Sequence, residues 1–212
     1  MPLDQIRKLN DHAFLGLWRI TESCEQLAAA LVIMAPALPV PSFKNQKRKS
    51  EWLASRLLAY LLLQQFTPAY HALVSNEYGK PEFLFAPYRL SISHSGELAA
   101  VIISSKQDVG IDLELISSRI KPLGPKFLSE KELAGARGNP ERLCIYWSAK
   151  ETLYKMHSKK KLTFKEHLQV DQIPEEATGQ VAARVIGEFS TEHFSLHFER
   201  IEAYILTYCL KK

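Results

Sequence analysis

Cysteine is scarce in this sequence, and its spacing fits neither a disulfide framework nor a metal finger. There are three cysteines, at Cys24, Cys144 and Cys209. An odd number without metal-ligand spacing argues against a small secreted domain held together by disulfides. We therefore expect a protein of the reducing cytoplasm.

A continuous apolar stretch long enough to cross a bilayer is also missing. The apolar run from Leu27 to Val40 is interrupted by Pro36 and Pro39, and it is shorter than the roughly 20 residues that a transmembrane helix needs. The residues before it include acidic side chains, which a signal peptide avoids. We interpret the run as a buried helix or strand followed by an exit loop, and we predict no membrane association.

Zinc-finger spacing and interleaved aromatic and basic residues are absent, so we predict no nucleic-acid partner. Positive charge is nevertheless concentrated. The formal net charge is +4. Lysine and arginine clearly outnumber aspartate and glutamate in two windows, Lys44–Arg56 and Lys150–Lys165. Such patches suit an anionic ligand or an acidic protein surface, although a solvated helix face explains about half of such lysines equally well.

The chain of 212 residues, 46% of them hydrophobic, is long enough to bury a substantial core. It has no low-complexity tract and no long linker. Strands, helices and strands recur in each half, which predicts an α+β protein with an N-terminal half at 1–106 and a C-terminal half at 107–212. The predicted strands are 14–20, 83–85, 90–93, 98–104, 109–116, 168–170, 180–186, 194–198 and 203–209, and the predicted helices are 46–66, 126–136 and 141–157.

The segment Val109-Gly110-Ile111-Asp112-Leu113-Glu114 is the first chemically informative motif. Asp112 and Glu114 are two residues apart in an apolar run of strand type, so both carboxylates would project from one face. One metal ion could be shared between them, and Mg²⁺ prefers such oxygen ligands. The alternative is a solvated strand edge.

The second motif is Trp147-Ser148-Ala149-Lys150-Glu151-Thr152-Leu153-Tyr154-Lys155. It lacks Gly and Pro, and on a helix Glu151 and Lys155 would be neighbours on one face. A third carboxylate and a cation for phosphate would thus arrive together. The alternative is a helix-stabilising ion pair worth about 0.2–0.5 kcal/mol. The two motifs together predict a magnesium and pyrophosphate site.

These motifs resemble the paired signature of the 4′-phosphopantetheinyl transferase superfamily, in particular the surfactin-synthetase-activating type. Tyr78-Gly79-Lys80-Pro81 and Ile92-Ser93-His94-Ser95-Gly96 resemble two further motifs of that family in the same order. The resemblance runs from about Lys44 to Val170. It departs at 156–162, where family members usually carry glycines and this chain is rich in lysine.

The resemblance implies a pseudo-twofold fold of two similar α/β halves with a ligand cleft between them. It also implies a function, that of a holo-[acyl-carrier-protein] synthase. Such an enzyme transfers the 4′-phosphopantetheine arm of coenzyme A to a serine of an apo acyl or peptidyl carrier protein and releases adenosine 3′,5′-bisphosphate, with Mg²⁺ as cofactor. The alternatives are a non-catalytic module that binds coenzyme A or a carrier protein, and a Mg²⁺-dependent phosphohydrolase. With the cleft complete in one chain, we expect a monomer.

Site residues follow from the same resemblance. Asp112, Glu114 and Glu151 match the metal-binding carboxylates, and Glu151 and Lys155 are the predicted catalytic residues. The serine proton would pass to Glu151 or to water on the metal. The predicted coenzyme A-binding residues are Lys44, Arg48, Arg56, Gly79, Lys80, Pro81, Ser93, His94, Lys150 and Lys155.

Several of these positions have simpler structural explanations. Lys150 could face solvent, His94 could be a turn histidine satisfied by backbone, and the Gly79-Lys80-Pro81 turn could be purely structural. Trp147 is interpreted as a core anchor for the helix and not as a catalytic residue. Lys159–Lys161 could contribute to docking of an acidic carrier, because opposite charges steer encounter.

Overall fold

The computed structural model describes residues 3–157 and 162–211. By its internal contacts the chain divides into two compact units, residues 3–109 and 110–211. Each unit combines antiparallel strands with helices. The predicted mixed α and β fold is therefore confirmed.

The first unit has a four-stranded antiparallel sheet in the order β1-β2-β6-β5 and a separate hairpin of β3 and β4. Its long helix packs on the sheet through Leu57, Leu58 and Leu62, which are buried. The elements are β1 (Leu3–Asn10), β2 (Ala13–Arg19), α1 (Cys24–Met34), α2 (Gln46–Leu63), β3 (Leu73–Ser75), β4 (Pro81–Phe83), β5 (Arg89–Ser95) and β6 (Leu98–Ser104).

The second unit has a five-stranded sheet in the order β7-β11-β10-β9-β8. A 3-10 turn (Ser118–Leu123) leads into its helices. The elements are β7 (Asp108–Leu115), α3 (Gly124–Phe127), α4 (Glu130–Ala136), α5 (Pro140–Met156), β8 (Leu168–Val170), β9 (Thr178–Ile186), β10 (Thr191–Ile201) and β11 (Tyr204–Lys211).

Helix α5 carries the second motif, and local sequence sets where it begins. Asn139 caps it, its side-chain oxygen accepting from the backbone N–H groups of Glu141 and Arg142, and Pro140 occupies the first turn. Both features are typical of helix starts. On the sheet side, Thr152 and Thr207 hydroxyls are 2.6 Å apart, which ties α5 to β11.

The structure corrects the sequence prediction at one helix and adds two strands. The helix predicted at 126–136 is interrupted, because Leu128 is extended and Ser129 starts α4 with a capping box in which Glu132 is the reciprocal partner. Strands β1 (Leu3–Asn10) and β3 (Leu73–Ser75) were not predicted. In β1 no residue is fully buried and the exposed and half-buried residues do not alternate regularly, so the strand lacks a strong apolar signal.

The apolar run at 27–40 forms most of α1 and the loop that follows it. Of the two expected elements, a helix or a strand, it is therefore the helix. It is buried only in part. Leu27 and Leu31 lie in the core, whereas Val32 and Ile33 are 60% and 83% exposed. Within 3–157 and 162–211, no helix combines the length and apolarity needed to cross a membrane.

Candidate active site

The first and second motifs meet where β7 lies against α5. The Lys155 ammonium donates to a carboxylate oxygen of Asp112 at 2.7 Å and to the carbonyl of Ile111 at 3.1 Å. Asp112 is buried, and the Lys155 side chain is 26% exposed. The buried aspartate is therefore held by a cation that still reaches solvent.

Glu114, two residues further along β7, contacts the same helix about two turns earlier. Its carboxylate accepts a hydrogen bond from the Trp147 indole N–H at 2.9 Å. Since Asp112 and Glu114 both reach α5, the strand presents the two carboxylates to one side, as the two-residue spacing requires.

Glu151 completes a cluster of three carboxylates. Burial, together with the negative charges of Asp112 and Glu114, raises the pKa of Glu151 from 4.5 to about 7, while Lys155 opposes the rise. The charges are thus close enough to repel one another. A divalent cation would relieve this repulsion, because it stabilises all three ionised carboxylates at once.

The donor chemistry fits Mg²⁺, which takes carboxylate oxygens from the protein and completes its shell with water and phosphate oxygens. The three side chains do not form a finished cage. In the part of the chain that the structure describes, no group of three His, Cys, Asp or Glu residues is arranged to hold a metal ion by itself. Asp112 and Glu114 are instead engaged by Lys155 and Trp147.

Gly110 explains how the helix comes so close to the strand. A Cβ at this position would lie 2.5 Å from the carbonyl oxygen of Thr152 and 2.6 Å from Cγ of Met156. Only a residue without a side chain fits there. The sequence analysis included Gly110 in the first motif but did not predict this packing role. The signal that could have indicated it is a single glycine within an apolar strand.

Lys150 departs from the expectation of a phosphate contact. Its side chain is 0% exposed, and its ammonium donates to Glu132 at 2.8 Å and to the carbonyls of Phe127 and Phe164 at 2.8 and 2.9 Å. An ammonium has three N–H donors, and all three are used. Neither phosphate binding nor solvent exposure fits this position. Burial lowers the pKa of Lys150, against the opposing effect of Glu132.

In the first unit, His94 lies at the end of β5 and Glu51 on α2. A ring nitrogen of His94, Nδ1, lies 3.4 Å from the carboxylate of Glu51, which is buried. Sequence reasoning missed Glu51 as the partner of His94. Ser93, beside it, is buried.

Three predicted basic residues lie on or before α2 and differ in accessibility. Lys44 and Arg48 are exposed. Arg56 packs over the ring of Trp52, 4.7 Å from its centroid, and donates to the Ser55 hydroxyl. Burial lowers the pKa of Arg56 to about 10. A cleft of about 310 Å³ nearby is lined by Lys47, Glu51 and Glu97, among others.

The Gly79-Lys80-Pro81 segment forms the turn between β3 and β4. Gly79 has a φ of +77°, which favours glycine. Asn76 organises the turn, its side-chain oxygen accepting from the backbone N–H groups of Tyr78 and Lys80. Glycine at position 79 is therefore explained by the backbone conformation of the turn.

Comparison with known proteins agrees with this arrangement. The family model described as the 4′-phosphopantetheinyl transferase superfamily matches residues 108–209, and that of the 4′-phosphopantetheinyl transferase N-terminal domain matches residues 43–104. Together the two matches cover most of the chain. The chain belongs to the 4′-phosphopantetheinyl transferase superfamily.

Two curated relatives share part of the sequence. The 4′-phosphopantetheinyl transferase AcpT of Salmonella typhimurium (strain LT2) is 35% identical over 100 residues, which is 47% of this chain and 46% of the relative. The protein of the same name from Salmonella typhi is 34% identical over the same length. The aligned part spans about half the length of these relatives. The narrower resemblance to the surfactin-synthetase-activating type stays a prediction.

Replacing Gly110 with Ala should separate β7 from α5. We expect a loss of about 1–3 kcal/mol in the free energy of unfolding, as for other overpacked sites, measured by urea denaturation. Gly124→Ala is the matched control, because a Cβ there would meet only the movable ends of Leu133 and Leu143 at 3.2 and 3.4 Å. Equal losses in the two variants would contradict the packing role of Gly110.

Replacing Lys150 with Met should destabilise the fold by about 3–5 kcal/mol, because Glu132 would remain as a buried charge without its partner. The double variant Lys150→Met/Glu132→Gln should recover part of that loss in the same denaturation experiment. A Lys150→Met protein of wild-type stability that binds coenzyme A weakly would instead restore the phosphate role.

In EDTA, Glu151 should make stability fall as pH rises. Its pKa is about 7 when folded, against an ordinary 4.5, so between these values the folded state keeps a proton that the unfolded state has lost. The resulting loss, complete above pH 7, is on the order of 3 kcal/mol. Unfolding free energies at pH 5 and 8 should therefore show Glu151→Gln gaining on wild type as pH increases. Parallel pH curves for the two proteins would refute the shift.

Proposed function

We propose that this protein transfers the 4′-phosphopantetheine arm of coenzyme A to a serine of an apo acyl or peptidyl carrier protein, releasing adenosine 3′,5′-bisphosphate. The observation that carries the proposal is the convergence of Asp112, Glu114, Glu151 and Lys155, within the segment that matches the superfamily. Three carboxylates beside a lysine suit a magnesium pyrophosphate more than a neutral substrate.

Asp112, Glu114 and Glu151 would hold Mg²⁺, which when bound neutralises charge on the pyrophosphate oxygens. Two other functions fall to side chains of the protein: donation to a phosphate oxygen and acceptance of the serine proton. Lys155 keeps positive charge beside Asp112 and, from its partly exposed position, can donate to a phosphate oxygen as a point charge. The serine oxygen attacks the β-phosphorus, and the bond from that phosphorus to the bridging oxygen breaks.

Glu151 is our candidate for accepting the serine proton. Without a metal, burial and the charges of Asp112 and Glu114 raise the pKa of Glu151 to about 7. A divalent cation beside it would lower that pKa, so Glu151 would then be ionised and able to accept a proton. The same carboxylate is also a candidate metal ligand, and the two roles draw on the same ionised form.

The anion-binding residues of the first unit are proposed for coenzyme A. His94 has Nδ1 directed at Glu51, which is the arrangement that orients an imidazole whose other nitrogen contacts a ligand. Lys44 and Arg48 are exposed cations, and Lys80 follows the fixed turn at Gly79. Arg56 is also proposed to contact coenzyme A, although its guanidinium is less accessible to a ligand because it packs on Trp52. Ser93 and Pro81 flank these groups.

The partner is proposed to be an acidic carrier, steered by the positive charge of the protein. Lys159–Lys161, predicted to contribute to that surface, lie outside the described residues. A reducing cytoplasmic setting and a monomeric state are part of the proposal. Cys24, Cys144 and Cys209 are free and buried, which agrees with the first of these.

The proposal is tested by measuring the intact mass of an apo acyl carrier protein after incubation with this protein, coenzyme A and Mg²⁺. We expect a gain of one phosphopantetheine arm that disappears with EDTA and falls by at least about 100-fold in rate in Glu151→Gln, as for loss of a general base. A peptidyl carrier is the second acceptor. The Gly124→Ala protein serves as an active control variant.

Two results would overturn the proposal. Coenzyme A binding without modification of either carrier would favour the non-catalytic module. Steady release of nucleotide from coenzyme A with no carrier present would favour the phosphohydrolase.

A further inference from the structure

Trp147 is flanked by two aromatic rings that belong to other segments of the second unit. Its ring is edge-on to Phe127, with centroids 4.9 Å apart, and stacks on Phe164 at 5.3 Å with an interplanar angle of 21°. These geometries are the favourable ones for aromatic pairs. The two rings therefore support the indole from its edge and from its face.

The backbone of these same two segments is held by one buried cation. Lys150, on α5 like Trp147, donates to the carbonyls of Phe127 and Phe164. Its third donor reaches Glu132, whose carboxylate also accepts from the backbone N–H groups of Ser129 and Val170. The rings that flank Trp147 are thus fixed to α5 at their backbone as well as by packing.

The polar end of this assembly is the hydrogen bond from the Trp147 indole to Glu114. An indole N–H is only a donor, so the Glu114 oxygen is the acceptor of this bond. The bond is 2.9 Å long and partly buried. It fixes one oxygen of Glu114, while Asp112 on the same strand is held by Lys155.

We propose that Trp147 is a positioning residue that orients the Glu114 carboxylate toward the cation. Lys150 acts on the same carboxylate through the ring-bearing segments at Phe127 and Phe164. The inference rests on the proposed function, because Glu114 matters to the reaction only as a metal ligand. It gives Trp147 and Lys150 one shared role that neither core packing nor phosphate contact describes.

The central test is Trp147→Phe, which keeps a ring between Phe127 and Phe164 and removes the N–H donor. Trp18→Phe is the matched control, because the Trp18 indole likewise donates to a glutamate, Glu22, at 3.3 Å in the first unit. The readout is Mn²⁺ affinity by electron paramagnetic resonance with coenzyme A present. We expect a loss of about 10-fold or more in Trp147→Phe, as for other outer-shell partners of metal ligands.

Four further measurements separate positioning from loss of structure. Thermal unfolding of Trp147→Phe should stay cooperative and be no more destabilised than that of Trp18→Phe, whose ring is fully buried. Coenzyme A affinity in EDTA should equal that of wild type in Trp147→Phe. Activity should be restored to Trp147→Phe by raising Mg²⁺. In ¹H–¹⁵N spectra, the Trp147 indole signal should be protected from hydrogen exchange in wild type and lose protection in Glu114→Ala and in Phe164→Leu.

Unchanged Mn²⁺ affinity in Trp147→Phe, or an equal loss in Trp18→Phe, would overturn the inference while leaving transfer by the wild-type protein intact. A wild-type protein that neither binds Mn²⁺ with coenzyme A nor modifies a carrier would overturn the proposed function, and this inference with it. The wild-type arm therefore tells the two failures apart.

Discussion

The close approach of α5 to β7 at Gly110 is the constraint on which the candidate site depends. A side chain there would meet Thr152 and Met156 at distances that no real Cβ atom keeps. Because the glycine lets the helix lie directly on the strand, Lys155 reaches Asp112 and Trp147 reaches Glu114. The acidic groups on the strand and the cation on the helix become one site through this packing.

The two lysines of the second motif illustrate how burial divides similar residues between tasks. Lys150 has all three donors satisfied by protein acceptors and no exposed surface, so its charge is committed to holding segments together. Lys155, little more than one helical turn later, keeps a quarter of its surface exposed and pairs with the carboxylate cluster. A buried ammonium with complete hydrogen bonding stabilises the fold only while its partner remains.

Much of the local structure could be predicted from sequence because it depends on short-range signals. Period-two apolar patterns predicted most of the strands, and the residues of α5 lack helix breakers over the motif that carries Glu151. The predictions failed where a local feature interrupts a helix or where a strand has few apolar residues. The capping box at Ser129 divides a helix that propensity alone would join, and the weakly apolar β1 is stabilised mainly by pairing with β2.

The sequence by itself determined, through residue type and spacing, that Asp112 and Glu114 share one strand face and that Glu151 and Lys155 share one helix face. Only the tertiary structure decided what each of these groups contacts. Nothing in a one-dimensional pattern distinguishes a lysine sealed against Glu132 from one beside Asp112, because burial and hydrogen-bond partners come from segments far apart in the chain. The raised pKa of Glu151 has the same origin, for it depends on charges that packing brings together.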